Sequence, residues 1–164
     1  MKYAILYLSE TGNTKQLAEE IYLCLNNRDR TIVNIKETDE IPEADFYFIG
    51  FPVHNRTCAL EVLDLLDNLE CADIAMFATC GLSPEPKYKQ HIENGLLPWI
   101  NCSCNYRGLF ICQGSCSDQF RTKLLASAPE SVSMLESIFE EGKGHPDDDD
   151  FEALDEFIED LLGE

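Results

Sequence analysis

The sequence predicts an α/β protein in which a doubly wound, five-stranded parallel sheet carries helices on both faces. Short apolar runs alternate with amphipathic stretches along the whole chain, the order that builds strand–helix–strand units. Several of the runs are unbroken, as in strands covered on both sides. The first run also ends in a hydroxyl-rich turn that leads directly into a helical pattern, and in such sheets ligands gather at the carboxyl ends of the strands.

Taken in order, Tyr3 to Leu8 is the first strand and Lys15 to Leu25 the first helix. Thr31 to Ile35 is a short β-branched strand, and Phe46 to Phe51 is a buried one. Ala59 to Leu69 reads as a helix with Val62, Leu63, Leu66 and Leu69 on one face. Ile74 to Thr79 is the next strand, followed by a helix over Lys87 to Leu97 that Pro98 stops. Leu109 to Cys112 is the last strand. Phe151, Leu154, Ile158, Leu161 and Leu162 mark the closing helix at helical spacing.

Between the last strand and that helix lies an insert, 113–145, with amphipathic segments at Ser117 to Ala126 and Val132 to Glu141. Phe120, Leu124, Leu125, Leu135, Ile138 and Phe139 are expected to face a core, as an inserted helical hairpin or lid. No linker or internal repeat divides the chain, so residues 1–164 are expected to form a single domain.

Composition narrows the function. A hydrophobic fraction of 45% excludes a disordered chain, and a net charge of −19 excludes nucleic acid, whose phosphates would repel this surface. The same charge favours a basic protein partner. The acid is densest near the C-terminus, where Pro146 and the four residues Asp147 to Asp150 also suit a helix start. No apolar run reaches the ~20 residues of a membrane span, and the opening run is too short for a leader, so membrane insertion is not expected and a cytoplasmic location is. Eight cysteines with irregular spacings then read as reduced thiols. Cys102, Cys104, Cys112 and Cys116 form no C-x2-C pair, which argues against a metal centre.

The turn Ser9-Glu10-Thr11-Gly12-Asn13-Thr14 carries the chemistry. Backbone N–H groups and the positive end of a helix dipole converge there, Ser9, Thr11 and Thr14 add hydroxyls, and Gly12 permits close approach. It lacks the Gly-Lys-Ser/Thr of a nucleotide-triphosphate loop and the G-x-G-x-x-G of a dinucleotide loop. With no cation before Lys15, it suits a phosphate monoester held by hydroxyls and amides.

The S-x-T-G-N-T segment, ahead of a helix near the N-terminus, resembles the FMN phosphate loop of the flavodoxins. The resemblance extends over most of the strand and helix plan and implies strand order 2-1-3-4-5. It also implies two further flavin-holding loops, here Pro52-Val53-His54-Asn55-Arg56-Thr57 after the third strand and Thr79-Cys80-Gly81-Leu82 after the fourth.

Aligned by strand ends, His54 falls where the family carries an apolar or aromatic residue against the inner flavin face. Leu82 falls where the outer aromatic usually stands, which leaves Tyr88 or Trp99 to supply one. Asn55 suits the positive φ that a peptide flip at flavin N5 requires. Arg56 departs from the carboxylate surroundings typical of flavodoxins and would favour the reduced flavin anion. Cys80, at a strand end beside the flavin, is the best candidate for a redox-active thiol.

The expected function is therefore an FMN-binding electron carrier that exchanges electrons with a basic partner oxidoreductase. Two alternatives are a flavin-dependent reductase of a small organic substrate, with His54 as proton donor, and an accessory module with a decayed flavin site. Cys112-Gln113-Gly114 and Gly144-His145-Pro146-Asp147 resemble a bacterial flavodoxin-like branch, some members of which assist larger flavin reductases.

Overall fold

Five parallel strands in the order β2-β1-β3-β4-β5 form the sheet of a computed structural model that describes residues 1–163. The strands are β1 (Lys2–Tyr7), β2 (Asp29–Asn34), β3 (Phe46–Pro52), β4 (Asp73–Cys80) and β5 (Asn105–Gln113). The helices are α1 (Asn13–Cys24), α2 (Leu60–Asn68), α3 (Pro86–Leu96), α4 (Asp118–Ser127), α5 (Val132–Gly142) and α6 (Asp148–Leu162). The expected strand order and fold class hold.

The middles of β1, β3 and β4 are apolar because both of their faces are covered. On one face Tyr3, Ile5, Phe48 and Phe77 meet Leu17 and Ile21 of α1 and Leu154 and Ile158 of α6. On the other, Leu6, Ile49, Phe51 and Met76 meet Val62 and Leu66 of α2 and Ile92 and Leu96 of α3. Each fully buried side chain of this kind contributes about 1.5–3 kcal/mol. Gly50 in β3 is a packing requirement, since a Cβ there would lie 2.1 Å from the Phe77 ring.

β5 starts four residues before the expected Leu109. It is an edge strand whose first half alternates exposed and half-buried residues, so no apolar run marks it. Its register slips between the pairs Ile74/Tyr106 and Ala75/Gly108, which leaves Arg107 as the extra residue of a bulge. There Arg107 Nη1 reaches Asp73 Oδ2 at 3.3 Å.

α6 opens with Asp147 as its N-cap in a reciprocal capping box with Asp150, so the acidic run does start a helix. α4 and α5 occupy the segment after β5. Leu135 and Phe139 of α5 are buried, but α4 has no buried residue. Phe120, Leu124 and Leu125 are therefore only half-covered, and the expectation that they face a core is corrected.

Candidate functional site

At the carboxyl ends of the strands, two joined hollows form where four connections meet. An inner cleft, with a cavity volume of about 50 Å³, is lined by Glu10, Thr11, Asn13, Pro52, Val53, His54, Thr79, Cys80 and Gly81, together with Gly114 to Ser117 and Phe120. An outer hollow of about 530 Å³ is lined by Val53, Asn55, Arg56, Gly81, Leu82, Glu85, Lys87, Tyr88, His91, Phe120 and Leu124. Val53, Gly81 and Phe120 belong to both. The three loops expected from the sequence do converge here. The fourth contribution comes from the segment after β5, expected as a helical hairpin or lid; which of its residues reach the site was not legible, since its Gly-Ser-Cys-Ser run carries no motif and Phe120 had the spacing of a core residue.

The first loop is built around Gly12, the N-cap of α1, at φ 93°, a conformation that favours glycine. Ser9 Oγ accepts from the N–H groups of Gly12 and Lys15 at 3.2 and 3.3 Å. The backbone N–H groups of Thr11, Asn13 and Thr14 have no acceptor among the described residues, as first-turn amides have none within a helix. They therefore remain available to an anion.

The side chains divide otherwise than expected. Thr11 is exposed, but Thr14 is buried and its hydroxyl is bonded to that of Thr79 at 2.9 Å, so Thr14 ties α1 to the end of β4. Asn13 is only 6% exposed. Its Nδ2 donates to Thr11 Oγ1 and to the Ser115 carbonyl, both at 2.9 Å. The phosphate loop is thereby fastened to the segment after β5.

The second loop is a tight turn. His54 and Thr57 exchange both backbone hydrogen bonds, at 2.8 and 2.9 Å, and between them Asn55 and Arg56 stand at φ 48° and 64°. Two successive positive φ values are the signature of a type I′ turn. The expectation for Asn55 is met, and Arg56 shares the conformation unforeseen. His54 Nε2 is shielded from solvent and lies 3.3 Å from Glu10 Oε2, at an angle that makes no hydrogen bond. Arg56 is exposed and has no ion pair within 4.0 Å among the described residues, so it does not pair with Glu61.

In the third loop the Cys80 thiol donates to the Leu82 carbonyl at 2.9 Å, and burial pushes its pKa up to about 12. A thiol held neutral in this way is a poor nucleophile, which argues for Cys80 as a packing residue. Tyr88, from α3, lines the outer hollow together with Leu82. Burial raises its phenol pKa and the nearby Arg56 opposes the rise. Trp99 is 44% exposed and lines neither hollow. The start of α4 closes over this loop, since a Cβ on Gly81 would meet Cys116 Cβ at 3.0 Å.

Of the residues expected at the site, Ser9, Gly12, Thr14 and Thr57 line neither hollow; they shape its loops. Cys102, Cys104, Cys112 and Cys116 do not gather as a ligand set among the described residues. Among the described residues, no helix is long and apolar enough to cross a membrane.

This sheet order, with an anion-ready helix start and apolar walls beside it, defines a flavodoxin-fold protein. Residues 4–159 match the flavodoxin domain family, and the chain belongs to it. The chain is 27% identical over 174 residues to the flavodoxin-like domain-containing protein BilS of Clostridioides difficile, a match covering 99% of this chain and 97% of that one. It is also 27% identical to BilS of Clostridium symbiosum, over 96% of this chain and 94% of that one. Among solved structures it resembles flavodoxin 2 of Bacillus cereus, with a TM-score of 0.63, 15% identity and 99% of each chain covered.

Proposed function

We infer that this protein binds FMN and transfers electrons. The observation that carries the reading is the convergence of unpaired first-turn amides, the Thr11 hydroxyl and an apolar-walled crevice at one point. The donor set fits a phosphate monoester, which needs N–H and O–H donors and no cation. The phosphate and its polyol chain are assigned to the inner cleft, which lies against Thr11 and Asn13 of the first loop. The ring then belongs at the seam of the two hollows, between Val53 and Gly81, with Phe120 and Tyr88 as its aromatic neighbours. When bound, FMN supplies the redox chemistry; the protein binds, orients and shields it.

Titration calorimetry tests this. FMN should bind at least tenfold more tightly than riboflavin, and Thr11→Ala should shrink that gap, because the phosphate is the main anchor. Equal affinities would remove the assignment.

A basic protein is the proposed electron partner, supported by the net charge of −19. Electron transfer to it from the reduced protein should slow as ionic strength rises, and a salt-independent rate would exclude such a partner. The eight free thiols support a cytoplasmic address. A second reading, a reductase of a small organic substrate, is favoured by the roomy outer hollow beside the flavin seam and by His54, poised as a proton carrier.

A further inference from the structure

Away from the crevice, two helices bring three metal-ligand side chains to one point. Glu20 and Cys24 stand four residues apart on α1 and so share a face of it, and Asp155 meets them from α6. One ligand atom of each lies within 4.8 Å of the other two, and the Cys24 thiol donates to Asp155 Oδ1 at 2.9 Å. All three residues are half-buried, and none of them lines either hollow.

What the cluster lacks is positive charge. Neither Glu20 nor Asp155 has an ion pair within 4.0 Å among the described residues. Burial and then the charge of Asp155 raise the Glu20 carboxyl above its ordinary pKa. Burial, the bond to Asp155 and the charges of Asp155 and Glu20 push the Cys24 thiol up to about 12. No cation opposes either rise. The other convergence of this kind, at His145, Asp147 and Asp150, has an imidazole and two backbone N–H groups to answer its carboxylates. At the seam of α1 and α6 two carboxylates approach each other with only the thiol proton between the helices.

The donor set selects the ion. A thiolate is a soft ligand, and beside two carboxylates it suits zinc, which takes Cys sulfur and Asp or Glu oxygen in a tetrahedral set. Magnesium and calcium prefer an all-oxygen shell. Three side chains leave the fourth position to water.

We propose that Glu20, Cys24 and Asp155 form a zinc site that clasps α6 to α1. On binding, the thiol proton leaves to solvent and a sulfur–zinc bond takes the place of the S–H···O bond. The clasp holds the helix whose first turn belongs to the phosphate loop, yet the proposal does not rest on the flavin reading.

The test titrates the full-length protein, reduced and stripped of metal, with cadmium as a spectroscopic substitute for zinc, following the ultraviolet thiolate-to-metal charge-transfer band. One equivalent of cadmium should raise the band, zinc should bleach it in competition, and magnesium should not. Cys24→Ser should abolish the band although the other free thiols remain. Asp155→Asn and Glu20→Gln should each weaken binding by roughly tenfold or more. Without metal, Glu20→Gln should melt no lower than wild type, because it relieves the repulsion with Asp155; with zinc the order should reverse, since only an intact site gains stability from the ion.

A band that survives in Cys24→Ser puts the metal at other thiols and overturns the proposal. Binding indifferent to both carboxylate substitutions also overturns it, since a lone thiol would then suffice, and so does competition by magnesium, the mark of a mere acidic patch. Circular dichroism separates loss of the site from loss of the fold, and the two carboxylate variants lie on different helices.

Discussion

At the scale of single residues, Asn13 carries the most structural consequence for its size. Its buried amide donates to two different partners, Thr11 Oγ1 in its own loop and the Ser115 carbonyl across the crevice. The Ser115 carbonyl can only accept, so the donor character of the side chain is what matters there, whereas Asn13 Oδ1 already accepts from Ser115 Oγ at 3.3 Å. Asn13→Asp keeps the shape and removes the donor, setting a carboxylate against the Ser115 carbonyl in a buried position. It should lower stability by about 2–3 kcal/mol, by the cost of leaving buried polar groups unmatched. Chemical denaturation of the two proteins measures it. An unchanged midpoint would mean that the bridge is absent in solution. The same change puts negative charge beside the amides of the first loop, so anion binding there should fall as well.

Among elements, β3 shows how a sequence fixes a strand's neighbours. Gly50 lets the Phe77 ring lie across β3, and a Cβ in its place would sit 2.1 Å from that ring. Gly50→Ala should cost about 3 kcal/mol, at the upper end for overpacking a core. Gly50→Ala combined with Phe77→Leu should recover part of the loss. Thermal unfolding of the single and double variants checks both, and additive losses would mean that the two positions do not touch.

The central strands were legible in the sequence because burial on both faces writes an unbroken apolar run. The first half of β5 was not, because an edge strand with a bulge at Arg107 carries no such run. The three flavin-type loops could be located because each follows a strand end. The role of Phe120 and Leu124 could not, since helical spacing reveals a stripe and not what the stripe faces. The left-handed conformation of Arg56 was equally hidden, because Arg has no preference that would announce it.

At the scale of the whole molecule, a pH lever near neutrality lies where α5 gives way to α6. His145 Nδ1 lies 2.6 Å from Asp150 Oδ2 and 3.6 Å from Asp147 Oδ2. The hydrogen bond to Asp150 raises the imidazole pKa above its ordinary value, the charges of Asp150, Asp147 and Glu141 add to the rise, and partial burial opposes it. A folded-state pKa above the unfolded one makes a contribution to stability that is full below about pH 6.5 and is lost as pH rises through the folded value. The melting temperature should therefore decline between about pH 6 and 8, and His145→Gln should flatten that decline. Keeping below pH 8 avoids the buried thiols, whose raised values act in the same direction at higher pH. A wild-type profile no steeper than the variant's would show that the pair is broken in solution.

The Asn13 to Ser115 bridge joins positions 102 residues apart. During synthesis the chain emerges from its N-terminus, so the first loop exists as a sequence long before the residue that fastens it. The loop can take its fastened shape only once Ser115 has been made. A fragment ending within β5 would retain every residue of the S-x-T-G-N-T loop and still lack the fastening that holds it.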